Sequence, residues 1–167
     1  MEITRIEPFL HYYRRIRQRT MRVVAAIPPE HIEWTVQPGR WTLGDILRHL
    51  GALERWMFAE NVQGRPSLYH GCGRELADGY DAVVAFLERT HGETLEILGR
   101  LTPEALQGKC HTPAGTPITT WKWLRGLVEH EIHHRGQIYL YLGLLGVPTP
   151  PLYGLTAEEV EDRSAAP

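Results

Sequence analysis

The stretch Trp123-Leu124-Arg125-Gly126-Leu127-Val128-Glu129-His130-Glu131-Ile132-His133-His134-Arg135-Gly136-Gln137-Ile138 decides the fold class. Trp123, Leu127, His130, His134 and Ile138 recur every three or four residues, and Tyr141 and Leu145 continue the series. This is the 3.6-residue period of an amphipathic α-helix. Thr119 or Thr120 supplies its N-cap, and Gly146 followed by Pro148 stops it.

The same period appears three more times upstream. A first helix is predicted from about Pro8 to Ala26, with Leu10, Tyr13, Ile16, Thr20 and Val24 on one stripe, and Pro28-Pro29 ends it. Its arginines, Arg14, Arg15, Arg17, Arg19 and Arg22, read as a solvated face with snorkelling stems rather than an anion site.

A second helix starts at Thr42, the N-cap of a capping box closed by Asp45, with Trp41 placed to staple against Ile46. It runs to about Asn61 on the stripe Leu43, Ile46, Leu50, Leu53 and Met57, flanked by His49 and Trp56. A third carries Tyr80, Val84, Leu87, His91, Leu95 and Leu98.

Between these helices the chain is punctuated by glycine and proline. Val62 to Leu76 reads as a loop, Thr102-Pro103-Glu104 as the cap of a short helix, and His111 to Pro117 as irregular. No segment shows a two-residue period bounded by hairpin turns. The expected fold is all-α, a four-helix up-and-down bundle over residues 1–155, followed by an acidic tail, 156–167, that frays or forms a terminal turn.

Composition fits one domain. The 167 residues are 43% apolar, which is enough for a single core. A net charge of −2 offers no field for phosphate backbones, so nucleic acid is not an expected partner. There is no basic segment leading an apolar run and no membrane-length apolar stretch, so a cytoplasmic chain with no membrane partner is expected. Two cysteines, Cys72 and Cys110, without CxxC spacing suit a reducing compartment.

The chemistry centres on histidine. His130 and His134 stand one helical turn apart on a core-facing stripe, where a lone imidazole is ordinarily a hydrogen-bonded core group, but a pair has the spacing of two ligands to one ion. His49, bracketed by Ile46 and Leu53, adds a third imidazole from the second helix. Three imidazoles suit Zn²⁺, Ni²⁺ or another borderline divalent ion and leave one coordination position open.

Competing readings are weaker. His130-Glu131-Ile132-His133-His134 is literally H-E-x-x-H, with Glu131 as a metallopeptidase base, but no third histidine follows at metzincin spacing. His91 reads as a core or rim histidine and His133 as pointing to a neighbouring helix or solvent. His70 and Cys72 with Cys110 and His111 form pairs too tight for ordinary zinc-finger geometry.

Three motifs together resemble the DinB/YfiT-like superfamily of metal-dependent enzymes. They are Pro38 to Leu50, reading Pro38-Gly39-Arg40-Trp41-Thr42-Leu43, then Gly44-Asp45-Ile46-Leu47-Arg48-His49-Leu50; His130 to Ile138; and Tyr141-Leu142-Gly143-Leu144-Leu145-Gly146-Val147-Pro148. The resemblance implies an up-and-down four-helix bundle of unusual handedness, frequent homodimerisation, and a metal triad mapping onto His49, His130 and His134. It also implies a small-molecule substrate. Relatives include transferases and isomerases that use low-molecular-weight thiols, so S-transfer with a thiol cosubstrate is the first expectation. A small-molecule hydrolase or a non-catalytic, stress-related binding module are the alternatives, and family membership alone does not choose among them.

Overall fold

Each long helix of the computed structural model, which describes residues 2–164, follows a stripe read above, with displacements that matter for the site. Met1 and residues 165–167, the end of the expected acidic tail, lie outside the described residues. Helix α1 spans Ile6–Val24 and buries the whole predicted stripe together with Phe9 and Arg17. Burial of Arg17 corrects the solvated-face reading for that one arginine, because carboxylates from two other elements meet it.

Helix α2, Leu43–Leu53, begins with the predicted capping box. The Asp45 amide donates to Thr42 Oγ1 at 2.9 Å, and the Thr42 amide donates to Asp45 Oδ2 at 2.9 Å. Beyond Leu53 the backbone winds as a π-helix over Glu54–Phe58 before the short α3, Ala59–Asn61. The wider turn displaces the downstream face, so Glu54 and Phe58 are buried where the regular period places Leu53 and Met57.

Helix α4 covers Tyr80–Leu98, and its buried face is rotated toward Val83, Phe86, Thr90 and Thr94. The short helix α5, Pro103–Gln107, is capped by Thr102 as expected. The chain then forms a hairpin absent from the sequence reading: strand β1, Lys109–His111, pairs antiparallel with β2, Pro117–Thr119, with Cys110 opposite Ile118. Strands of three residues are too short to display a two-residue period.

Helix α6, Thr120–Leu144, starts at the N-cap Thr119 and ends before Gly146, whose φ of 70° turns the chain. It is buried on a second stripe, Leu124, Val128, Glu131, Arg135 and Leu142, besides the predicted one. Where the sequence predicts fraying or a terminal turn, the tail makes the short helix α7, Ala157–Ser164, whose start is fixed by capping-box hydrogen bonds exchanged between Thr156 and Glu159.

Two apolar clusters fill the interior. One joins α1 and α6 through Phe9, Tyr13, Leu124 and Leu127; the other joins α2, α4 and α6 through Ile46, Leu50, Leu87 and Ile138. No helix among the described residues is long and apolar enough to cross a membrane.

Candidate metal centre

The structure brings His49 on α2 together with His130 and His134 on α6. One ring nitrogen from each lies within 4.8 Å of the others, and among the described residues this is the group whose metal-ligating atoms converge. His49 Nε2 and His130 Nε2 face each other at 3.1 Å. Ligands around a tetrahedral ion at about 2.0–2.1 Å stand roughly 3.4 Å apart, so small side-chain adjustments complete such a site.

Protonation suits the same role. Burial, then the neighbouring His134, pushes the His49 pKa down to about 4, and burial with His134 and His49 pushes that of His130 to about 3. Burial also lowers His134, against the opposing effect of its hydrogen bond to Gln137. All three imidazoles are therefore neutral near pH 7, the form that offers a lone pair to a cation.

Neighbouring groups orient two of the rings. His134 Nδ1 donates to Gln137 Oε1 at 2.7 Å, which leaves Nε2 as the lone-pair nitrogen. His49 Nδ1 lies 2.9 Å from the Tyr69 hydroxyl, so the phenol oxygen is placed to fix that ring in the same tautomer. Burial, and then Cys72, raises the Tyr69 pKa and keeps the phenol protonated. The donor set thus fits a divalent ion: three neutral imidazoles, supported from outside, with no carboxylate among them.

Aromatic rings close the surroundings. Trp41, expected only to staple the helix start, has its ring 4.5 Å from that of His49 and 6.0 Å from that of His134. The Tyr141 hydroxyl holds Trp41 in place by donating to its carbonyl at 3.1 Å. Phe58, turned inward by the π segment, lies 5.9 Å from His130. A cavity of about 390 Å³ adjoins the site, lined by Arg40, Trp41, Gln137 and Tyr141.

Tyr69 escaped sequence reading because its loop has no periodicity, and two tethers explain its placement. The Leu68 amide donates to the Trp56 carbonyl at 2.7 Å, and Arg48 Nε donates to the Cys72 carbonyl at 2.8 Å. Gln137, three residues after His134 on the same helix, had a signal in that spacing.

The other sequence candidates lie apart from the triad. Glu131 is buried against α1, where Thr20 Oγ1 donates to it at 2.6 Å and Arg17 pairs with it at 3.2 Å, so it is not a free base beside the histidines. This counts further against the peptidase reading, already the weaker one from sequence. His91 Nδ1 contacts Glu54 Oε1 at 2.7 Å and packs edge-on against Tyr13. His133 is exposed and accepts from Gln137. Cys72 and Cys110 are free thiols, and with His70 and His111 they form no converging ligand group among the described residues.

Comparison with known proteins gives the context. No curated protein matches the sequence. Among solved structures, a DinB-like protein from Bacillus cereus ATCC 10987 superposes with a TM-score of 0.75 at 19% identity, covering 90% of this chain and 99% of that one. A DinB-like protein from Bacillus subtilis superposes with a TM-score of 0.70 at 18% identity, covering 90% of this chain and 100% of the other. At such identities the likeness speaks for the fold. The sequence itself matches the DinB superfamily profile over residues 12–138, a span that includes all three converging histidines. With fold and sequence in agreement over most of its length, the chain belongs to the DinB superfamily.

Proposed function

We propose that this protein is a metal-dependent enzyme in which His49, His130 and His134 hold one divalent ion, zinc or nickel, and that its reaction is S-transfer on a low-molecular-weight thiol. The observation that carries the proposal is the convergence of three neutral imidazole nitrogens without a carboxylate. Such a donor set leaves the ion's charge uncompensated and favours an anionic fourth ligand; when bound, the ion supplies a thiol or water of lowered pKa.

The chain's own residues supply orientation and exclusion. Tyr69 and Gln137 hold the Nδ1 sides of His49 and His134, leaving both Nε2 atoms directed to the site. Trp41 covers His49 and His134 and limits water. The second reading, hydrolysis of a small molecule, draws support from His130, which is only partly buried and leaves solvent a path. We also read the four long helical stretches as an up-and-down bundle, and the exposed apolar residues of α6, Ile132, Leu140 and Leu144, as the face of a homodimer.

The test is elemental analysis of the purified protein followed by cobalt substitution and titration with thiols. About one ion per chain is expected, with a thiolate-to-cobalt absorption band on adding a low-molecular-weight thiol. His49→Ala, His130→Ala and His134→Ala should each lose the ion while keeping helical circular dichroism. Full metal retention in all three would overturn the assignment. Water exchange without thiol binding would replace transferase by hydrolase, and a closed site with neither would leave a binding module.

A further inference from the structure

Three arginines are buried among the described residues: Arg17, Arg48 and Arg135. Arg17 lies against Glu54 and Glu131, and Arg48 against Glu33 and Asp45. Arg135, only 3% exposed, has no carboxylate within 4.0 Å among the described residues. Its one hydrogen bond is a long one, from Nη1 to the Ile16 carbonyl at 3.4 Å. The other two buried arginines are paired with carboxylates, the usual solution for a buried cation, while the Arg135 guanidinium has none among the described residues.

Arg135 lines a cleft of about 540 Å³ between α6 and the segment that leads into α7. The segment is tethered to α1, where the exposed Arg22 donates from Nη2 to the Leu152 carbonyl at 2.8 Å. Tyr139 lines the same cleft, and its hydroxyl donates to the Pro150 carbonyl. Pro150, Pro151, Leu152 and Leu155 make the rest of the wall largely apolar. Glu158 also lines the cleft; it is exposed and lies beyond ion-pair distance of Arg135.

We infer that this cleft is a second ligand site, separate from the three histidines, for a small organic carboxylate with an apolar body. The carboxylate takes the place beside Arg135 that Glu54 and Glu131 take beside Arg17, where the planar guanidinium meets a planar acid. The volume accommodates a molecule of ligand size, and the proline-rich wall receives its apolar part. None of the lining residues belongs to the histidine triad, so occupancy here is compatible with a free metal centre.

The test is a backbone-amide NMR titration of the full chain with sodium benzoate, run beside its neutral isostere benzamide. Saturable shifts are expected around Gly136, Tyr139 and Thr149 to Thr156 with benzoate and not with benzamide, and Arg135→Met should weaken benzoate at least tenfold. Gly136→Phe provides a second variant, because a Cβ at Gly136 meets no atom within 4 Å and the ring would fill the cleft from its lining. That variant should fold and lose the benzoate response even if Arg135→Met does not fold. Equal shifts with benzamide, shifts confined to the surroundings of His49 and His130, or undiminished binding in the Gly136→Phe protein would each overturn the inference.

Discussion

Glu131 follows His130 directly, yet the two side chains belong to different parts of the molecule. A step of one residue turns about 100° around a helix, enough to carry Glu131 from the face it would share with the metal ligands to the face against α1. There one guanidinium, Arg17, serves both Glu131 and Glu54. Burial raises the Glu54 pKa, but Arg17 and the His91 hydrogen bond outweigh it, so the group stays ionised. Removing the cation strands two carboxylates, and Arg17→Met is expected to cost about 3–5 kcal/mol in urea unfolding. Glu131→Gln should retain the metal with full stoichiometry while lowering stability; loss of the ion in that variant would show that the carboxylate reaches the site. The histidine pair was legible because i, i+4 spacing is local. The direction of Glu131 was not, because its partners come from the distant α1, and an H-E-x-x-H string is silent about them.

At the scale of the element, α2 shows how far local chemistry reaches. Thr42 and Asp45 announced its start, and the capping box is present with both hydrogen bonds. Nothing in Glu54-Arg55-Trp56-Met57-Phe58 announced the π winding, since no residue type demands an i→i+5 turn, and the predicted burial of Leu53 and Met57 drifted accordingly. Close helix packing was equally hidden. A Cβ at Gly51 would stand 2.7 Å from Thr90 Oγ1 and 2.8 Å from Phe86, so the glycine sets how near α2 and α4 approach. Gly136 on α6 has open space in the corresponding position. Gly51→Ala should therefore destabilise by about 1–3 kcal/mol through overpacking, while Gly136→Ala should stabilise by up to about 1 kcal/mol through helix propensity. Urea midpoints of the two variants should move in opposite directions; a stabilised Gly51→Ala protein would refute the packing argument.

At the scale of the whole molecule, one buried side chain ties the metal centre to the loop that completes it. Arg48 precedes His49, donates to Glu33 and Asp45, and also holds the Cys72 and Ala77 carbonyls at 2.8 and 3.0 Å. Tyr69 keeps its place beside His49 through that anchorage, which is why periodicity located the three ligands but not the phenol that supports one of them. Arg48→Met should unfasten the loop and weaken metal binding without altering a ligand, and should cost about 3 kcal/mol of stability at pH 7. The loss carries a pH signature. Burial raises Glu33 and Asp45, but hydrogen bonds from Arg48 and Thr42 outweigh it and hold both below their ordinary values of 4.5 and 3.8. The unfolded chain then binds more protons than the folded one in that acid range, so this contribution is complete above it and disappears as pH falls through the lowered values. Urea unfolding of wild type and Arg48→Met at pH 7, 5, 4 and 3 should show a stability gap that is widest at pH 7 and narrows at pH 4 and below. A gap that stays constant across the series would mean that Arg48 acts through packing alone, and that the two carboxylates do not carry the anchorage of the loop.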